Sequence, residues 1–239
     1  MSRYDRLDIC RRMETIVFVH GIGSSARAWE PQLTALRDRY DVRATDLPGH
    51  GHREELFTLD RAVDDVCEEI GDGAHLVGIS GGATIAMLVA MAAGDRVKSL
   101  LLSAPVAHTP PSFAIQRAVT AALPLSALVG MLTPMYSGGV AEYKSMAAED
   151  VRLCGKDNLR RAFSRLAKTD LRPQLTQIVA PTLVVCGEKD RGNLASAQEV
   201  AEGIPDATLR SIPDAGHIWN LSQPKVFTDT VVELVDARK

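Results

Sequence analysis

The run Thr15–Val19 (TIVFV) ends in four consecutive Ile, Val and Phe residues and leaves no polar side chain to turn toward water on either face. A strand of that kind is buried on both sides, which is the position of a strand inside a parallel sheet covered by helices. Further strand-like runs follow at Tyr40–Ala44, Ala74–Val77, Val97–Leu102, Thr182–Cys186 and Ala207–Ile212. Between them lie segments with helical spacing: Trp29–Arg39, Leu59–Ile70, Thr84–Ala93, Ala195–Gly203 and, last, Val226–Val235. In Leu59–Ile70 the apolar positions Leu59, Ala62, Val63, Val66 and Ile70 share one face. Strands that alternate with helices predict an α/β fold, a mostly parallel central sheet flanked by helices.

The alternation stops from about residue 106 to 172. That stretch has helical spacing, prolines at 110, 111, 124 and 134, and a Gly138-Gly139 break, but no strand pattern. In Leu159–Lys168, Leu159, Ala162, Phe163 and Leu166 fall on one face and Arg160, Arg161, Arg165 and Lys168 on the others. The division expected is a core of residues 1–105 and 173–239 with a helical cap at 106–172. A chain of 239 residues suits one domain with such an insertion. The cap segment carries nine Lys/Arg and five Asp/Glu (+4), the remainder 18 and 25 (−7). The basic surplus reads as a solvated helix face, with attraction of anionic substrates or an acidic partner as the other reading.

Composition excludes several classes. The net charge of −3 gives no nucleic-acid footprint. Every apolar stretch is interrupted before the ~18–20 residues of a membrane span. The four cysteines, Cys10, Cys67, Cys154 and Cys186, form no Cys-x-x-Cys and have no His at ligand spacing, so reduced thiols are expected rather than a zinc or redox site. Met1–Arg12 is charged and lacks the apolar segment of a signal peptide. The expected setting is cytoplasmic, with a small-molecule substrate, no nucleic-acid or membrane partner, and a monomer or homodimer.

Three short motifs carry chemistry. Gly78-Ile79-Ser80-Gly81-Gly82 follows an apolar strand and opens a helix of small residues, the strand–turn–helix setting of a nucleophile elbow. Gly78 and Gly82 fit because a Cβ there would strike the neighbouring strand or helix. Gly187-Glu188-Lys189-Asp190-Arg191 follows the strand Thr182–Cys186, and Asp214-Ala215-Gly216-His217 follows Ala207–Ile212. Taken singly, each has an ordinary reading: a helix-capping serine, a turn carboxylate, a surface histidine. Together they place Ser80, Asp190 and His217 in that order, each just past a strand.

With these motifs in place the chain resembles the α/β-hydrolase superfamily, from about Ile16 to the final helix. His20-Gly21, Asp46-Leu47-Pro48-Gly49-His50-Gly51 and Gly216-His217-Ile218-Trp219-Asn220 followed by Gln223-Pro224 are further matches. The resemblance implies Ser80 as nucleophile, His217 as base, Asp190 as the acid that orients it, and the N–H groups of Ile22 and Gly81 as oxyanion hole. It implies no metal and no cofactor. His20 reads as a support, and His50, His52, His75 and His108 as non-catalytic. Asp46 and Asp214 are rival acids. Asp46 sits in a turn motif, and Asp214 lies too close to His217 in sequence. Members that carry the acid after the strand before the insertion need a carboxylate there, and this chain has Ser103-Ala104-Pro105. Two departures stand out. The N-terminal hairpin is short, with at most a strand around Asp8–Arg11. Gly81 replaces a larger residue, which predicts a roomier acyl site.

The pocket expected above Ser80 is apolar, walled by Ile22, Trp29, Ile79, Phe113, Met131, Met135, Tyr136, Met146, Ile218 and Trp219. The reaction expected is cleavage of a small carboxylic ester or lactone through an acyl-enzyme. Carbon–carbon bond hydrolysis, enol-lactone opening and thioester cleavage suit the same triad, and a ligand-sensing receptor with slow hydrolysis is an alternative of another class. Dehalogenase and epoxide-hydrolase relatives place Asp where this chain has Ser80.

Overall fold

In a computed structural model of the chain, the described residues are 13–109 and 113–237. The short strand expected around Asp8–Arg11 lies outside them. Six strands, β1 (Thr15–Val19), β2 (Asp41–Ala44), β3 (Ala74–Ile79), β4 (Val97–Ser103), β5 (Thr182–Gly187) and β6 (Ala207–Ile212), form one parallel sheet. Its order is β2-β1-β3-β4-β5-β6.

Side chains alternate across the strands, so each sends one set to each face. Val17, Val19, Leu76, Leu100, Leu102, Val184 and Cys186 belong to one core. That core also holds residues of helices α2 (Leu59–Glu69) and α3 (Gly81–Ala93). Ile16, Phe18, Val77, Ile79, Leu101, Leu183 and Val185 belong to the second, with residues of α1 (Glu30–Leu36). Burial on both faces explains the apolar runs at 16–19 in β1, 100–102 in β4 and 183–186 in β5, whereas the edge strand β6 is largely exposed.

The chain makes a helical excursion between β4 and β5. It contains α4 (Phe113–Ala122), α5 (Leu125–Tyr136) and α6 (Lys144–Leu166), the last kinked at Gly155 (φ 69°). The Gly138-Gly139 break follows α5, with positive φ at both residues. Leu159, Ala162, Phe163 and Leu166 are buried, and Arg160, Arg161, Arg165 and Lys168 are not. The excursion is tied to the core at the loop after β1. Buried Asp150 accepts from Ser25 Oγ at 2.8 Å and from Arg27. After β5 come α7 (Leu194–Gly203), the short α8 (Trp219–Ser222) and α9 (Pro224–Asp236). α7 packs in the first core, and α9 supplies Phe227, Val231 and Val235 to the second.

Strand order reverses between β1 and β3: from β1 the chain runs outward to β2, then returns to the other side of β1. The crevice beyond the carboxyl ends of strands at such a point is where ligands bind in open α/β sheets. The loop carrying Ile22 leaves β1 there, and Ser80 leaves β3.

Two histidines beneath this crevice are wholly buried. His20 Nε2 accepts from Leu47 N–H at 3.0 Å, and its Nδ1 lies 2.9 Å from Gly21 O. His50 Nδ1 lies 2.9 Å from Pro48 O, its Nε2 is buried without a partner among the described residues, and its ring is 5.3 Å from that of His20. Burial first, and the neighbouring His20 second, push His50 down to about 3. Burial also lowers His20. Both are held neutral while the unfolded chain protonates its histidines near ~6.5. The unfolded state therefore binds more protons between the two values, and stability falls as pH drops from about 6.5 toward 3. From pH 7 to pH 5, His50 alone removes about 2 kcal/mol of unfolding free energy. Urea titrations at the two pH values measure this. His50→Gln flattens the slope by that share, and an unchanged slope would refute the assignment.

Candidate active site

β3 ends in a sharp turn. Ser80 takes φ 55°, ψ −123°, one of three non-glycine residues with positive φ among those described. Such a conformation costs ~1–3 kcal/mol and persists where the surroundings enforce it. Here Ser80 N–H donates to Ser103 O on β4 at 2.9 Å, and Ser80 O accepts from Ala83 N–H at 2.9 Å. α3 begins at Gly81, directly after the serine and three residues before the start expected from sequence. A Cβ on Gly82 would lie 2.4 Å from the carbonyl oxygens of Val19 and His20, and one on Gly78 2.6 Å from Gly82 O, so these positions admit only glycine.

β5 and β6 deliver the other two groups. Asp190 lies in the turn after β5 and His217 in the loop after β6. The two loops meet where a Cβ on Gly187 would sit 2.3 Å from Ala215 O, and Lys189 N–H donates to Ala215 O at 2.9 Å. His217 Nδ1 stands 2.7 Å from Asp190 Oδ2. Burial opposes ionisation of Asp190, but its hydrogen bonds from His217 and Asn193 outweigh that and hold it below the usual carboxylate range. The carboxylate therefore accepts and Nδ1 carries the proton. Asn193 Nδ2 donates to Asp190 Oδ1 at 2.8 Å. Its 3.3 Å approach to His217 Nδ1 brings two donors together, so it is a contact and not a second bond. The rival acids are engaged elsewhere. Asp46 accepts from the N–H groups of Ala26 and His52, and exposed Asp214 pairs with Lys189.

Ser80, Asp190 and His217 line one cavity of about 180 Å³ with Ile22, Gly81 and Asn193. Thr84 and Val106 add to the lining from the core, and Phe113, Met135, Tyr136, Phe163 and Leu166 from the helical excursion. Among the described residues, no hydrogen bond within the protein uses the N–H of Ile22 or of Gly81. The space left by the missing Gly81 side chain is filled: a Cβ there would lie 2.6 Å from Ile22 Cγ1. The roomier site expected from Gly81 is thus replaced by a closer Ile22.

Six expected wall residues are not in the lining of this cavity. Trp29 is buried on the far side of the sheet between Phe18 and Phe227, with ring centroids at 5.0 and 5.4 Å. Trp219 is buried there too, 4.4 Å from Phe227, with Nε1 donating to Ser103 Oγ. Met131 points outward from α5, one turn before Met135, and Met146 is half-buried outside the lining. Ile79 and Ile218 line a smaller adjoining cavity with Ile22, Ser80, Tyr136 and His217. The missed residues are Thr84, Val106, Thr109, Phe163, Leu166 and Asn193. Asn193 was within reach of sequence reasoning, three residues after Asp190 in the same turn. Phe163 and Leu166 sit on the face read as core, which periodicity cannot distinguish from a cavity wall.

The sequence profile of the alpha/beta hydrolase family matches residues 16–230. The chain belongs to that family. It is 28% identical to 3-oxoadipate enol-lactonase 1 of Acinetobacter baylyi, over 89% of this chain and 85% of the relative. It is 26% identical to a pimeloyl-[acyl-carrier protein] methyl ester esterase of Neisseria meningitidis, over 74% and 76%. The structure of an enol-lactonase from Burkholderia xenovorans shares the fold, with a TM-score of 0.83 at 24% identity over 94% of this chain and 92% of that one. These similarities support a hydrolase that cleaves esters. No helix among the described residues is long and apolar enough to cross a membrane, and none of their His, Cys, Asp and Glu side chains form a group of three or more suited to a metal ion.

Proposed function

We propose that the protein is a serine hydrolase that cleaves small, uncharged carboxylic esters or lactones, with residues 106–172 as its cap. The observation that carries this reading is the strained Ser80 at the carboxyl end of β3, in one cavity with a His217 whose Nδ1 is bound to ionised Asp190. That bond leaves His217 Nε2 as the basic nitrogen. Nε2 takes the Ser80 proton as Oγ attacks the acyl carbon, and the carbonyl oxygen becomes an oxyanion held by the N–H groups of Ile22 and Gly81. The tetrahedral intermediate collapses, the imidazolium gives its proton to the leaving oxygen, and an acyl-enzyme remains. Water, deprotonated by the same imidazole, releases the acid and restores Ser80.

A fluorophosphonate tests the nucleophile. Intact mass gives one adduct on the wild type and none on Ser80→Ala; no adduct on the folded wild type would sink the assignment. Adduct formation without turnover on an ester, lactone and thioester panel would favour the receptor reading.

Substrate charge follows from the lining, in which no described residue is a Lys or Arg. An anionic acyl chain would enter without a counter-charge, and burying an unpaired carboxylate is costly. A neutral ester is expected to exceed the matched half-ester of a dicarboxylic acid by about tenfold or more in kcat/KM. The arginines of α6 lie outside this cavity. A preference for the anionic ester that is lost on adding salt would show that they act on the substrate.

A further inference from the structure

Apart from Ser80 Oγ and His217 Nε2, which the proposed reaction uses, the polar side chains of the cavity are paired within the protein, with one exception. Thr84 Oγ1 donates to Val106 O at 3.0 Å, and Thr109 Oγ1 donates to Leu166 O at 3.1 Å. Asn193 donates to Asp190, and His217 Nδ1 is held by the same carboxylate. The exception is Tyr136, on the last turn of α5. It lines both the main cavity and the smaller one beside it, with Ile22, Ser80 and His217 in each. The residue is buried, with 8% of its surface exposed; among the described residues its hydroxyl makes no hydrogen bond within the protein, and it stays open to the cavity.

The position of that hydroxyl is fixed by the loop it touches. Gly23, the residue after Ile22, has φ 81°, and a Cβ there would lie 2.7 Å from Tyr136 Cε2 and 3.2 Å from its hydroxyl oxygen. The phenol thus stands against the loop that carries the Ile22 N–H. Leu159 of α6 bounds the same spot, 3.0 Å from that Cβ position. Burial raises the phenol's pKa, so it keeps its proton in the working range. Water reaches the phenol in the open cavity, and a ligand that displaces it must replace its hydrogen bond, because native structures satisfy nearly all buried polar groups. A bound molecule that supplies an acceptor oxygen does so; an all-carbon chain buries the hydroxyl unpaired.

We propose that Tyr136 is a specificity-determining residue that donates a hydrogen bond to an uncharged oxygen of the substrate. That oxygen is a ketone, ether or second ester oxygen carried in addition to the scissile carbonyl. The inference rests on the serine-hydrolase reading for the reaction, but the phenol's binding role can be read without turnover. The cavity then selects uncharged oxygenated acyl groups over plain alkyl ones. With no cation among the described lining residues, carboxylates are disfavoured, and the phenol distinguishes oxygen from methylene.

The test uses isosteric pairs of p-nitrophenyl esters, methoxyacetate with butyrate and 3-methoxypropanoate with pentanoate, on wild type and Tyr136→Phe. The variant keeps the ring that packs on Gly23. The quantity read is the kcat/KM ratio of ether to alkyl ester, in which intrinsic reactivity cancels between the two proteins. Tyr136→Phe lowers that ratio about tenfold in at least one pair, the usual scale for a lost buried hydrogen bond. Ratios unchanged in both pairs would overturn the proposal, and equal losses for both members of each pair would in addition assign Tyr136 a packing role only. The same esters are then titrated against Ser80→Ala and Ser80→Ala/Tyr136→Phe to give ratios of Kd. If the fluorophosphonate fails to label Ser80 while the Kd ratio still falls, the nucleophile assignment is wrong and the Tyr136 site stands. If Ser80 is labelled and the ratios do not move, the nucleophile stands and the Tyr136 site falls.

Discussion

Replacing Ser80 with alanine lowers kcat for the best neutral ester by about 10⁶-fold, while the protein stays folded. The size follows from what is removed. The Oγ is the only atom of the protein that forms a bond to the acyl carbon in the proposed mechanism, and water cannot take its place on the strained turn. The N–H groups of Ile22 and Gly81, the proposed oxyanion hole, and the cavity remain, so the residual rate stays above that of the ester in water by roughly 10³–10⁴. The variant also separates chemistry from binding. Its cavity is intact, so an ester that the wild type hydrolyses binds the variant and is released unchanged. Thermal unfolding provides the control. Alanine at φ 55° is strained as serine is, and Ser80 holds its neighbours through backbone groups, so Tm moves little. Activity within tenfold of the wild type would remove Ser80 from the reaction.

Much of this architecture was legible because the sheet is buried on both faces. A strand such as Val17–Val19 or Val184–Cys186 must be apolar on each side, and that leaves an unmistakable run. The glycines around Ser80 were legible for a steric reason, to which the structure adds the distances. The helix start at Gly81 was not, since Gly81-Gly82-Ala83 has poor helical propensity and the turn at Ser80 fixes it instead. The cavity walls were hardest to read. Trp29 and Trp219 are large and near the site in sequence, and these properties also suit the packing beneath the sheet, where Phe227 meets both. Whether an apolar face on α6 meets core or cavity depends on how the excursion is placed over β3. That placement rests on long-range contacts such as Asp150 with Ser25, and no local pattern encodes them.

Asp190→Asn is expected to cost about 10⁴ in kcat, with little change in Tm, because it reverses a proton and barely alters shape. The ionised carboxylate can only accept, so it requires the proton on His217 Nδ1 and keeps the Nε2 lone pair for Ser80. An amide could preserve that arrangement by turning its oxygen toward His217. Asn193 prevents it. Its Nδ2 now donates to Asp190 Oδ1, and an amide nitrogen placed there would set two donors against each other. The oxygen of the introduced amide is thus drawn to Asn193 and its NH₂ faces His217 Nδ1, which moves the imidazole proton to Nε2. In that tautomer the base has no lone pair for the serine. The double variant Asp190→Asn/Asn193→Ala removes the group that selects this orientation, frees the amide to turn, and regains about tenfold of the lost rate. A double variant as inactive as the single one would show that Asn193 does not set the tautomer. An Asp190→Asn enzyme within tenfold of the wild type would show that another acid orients His217.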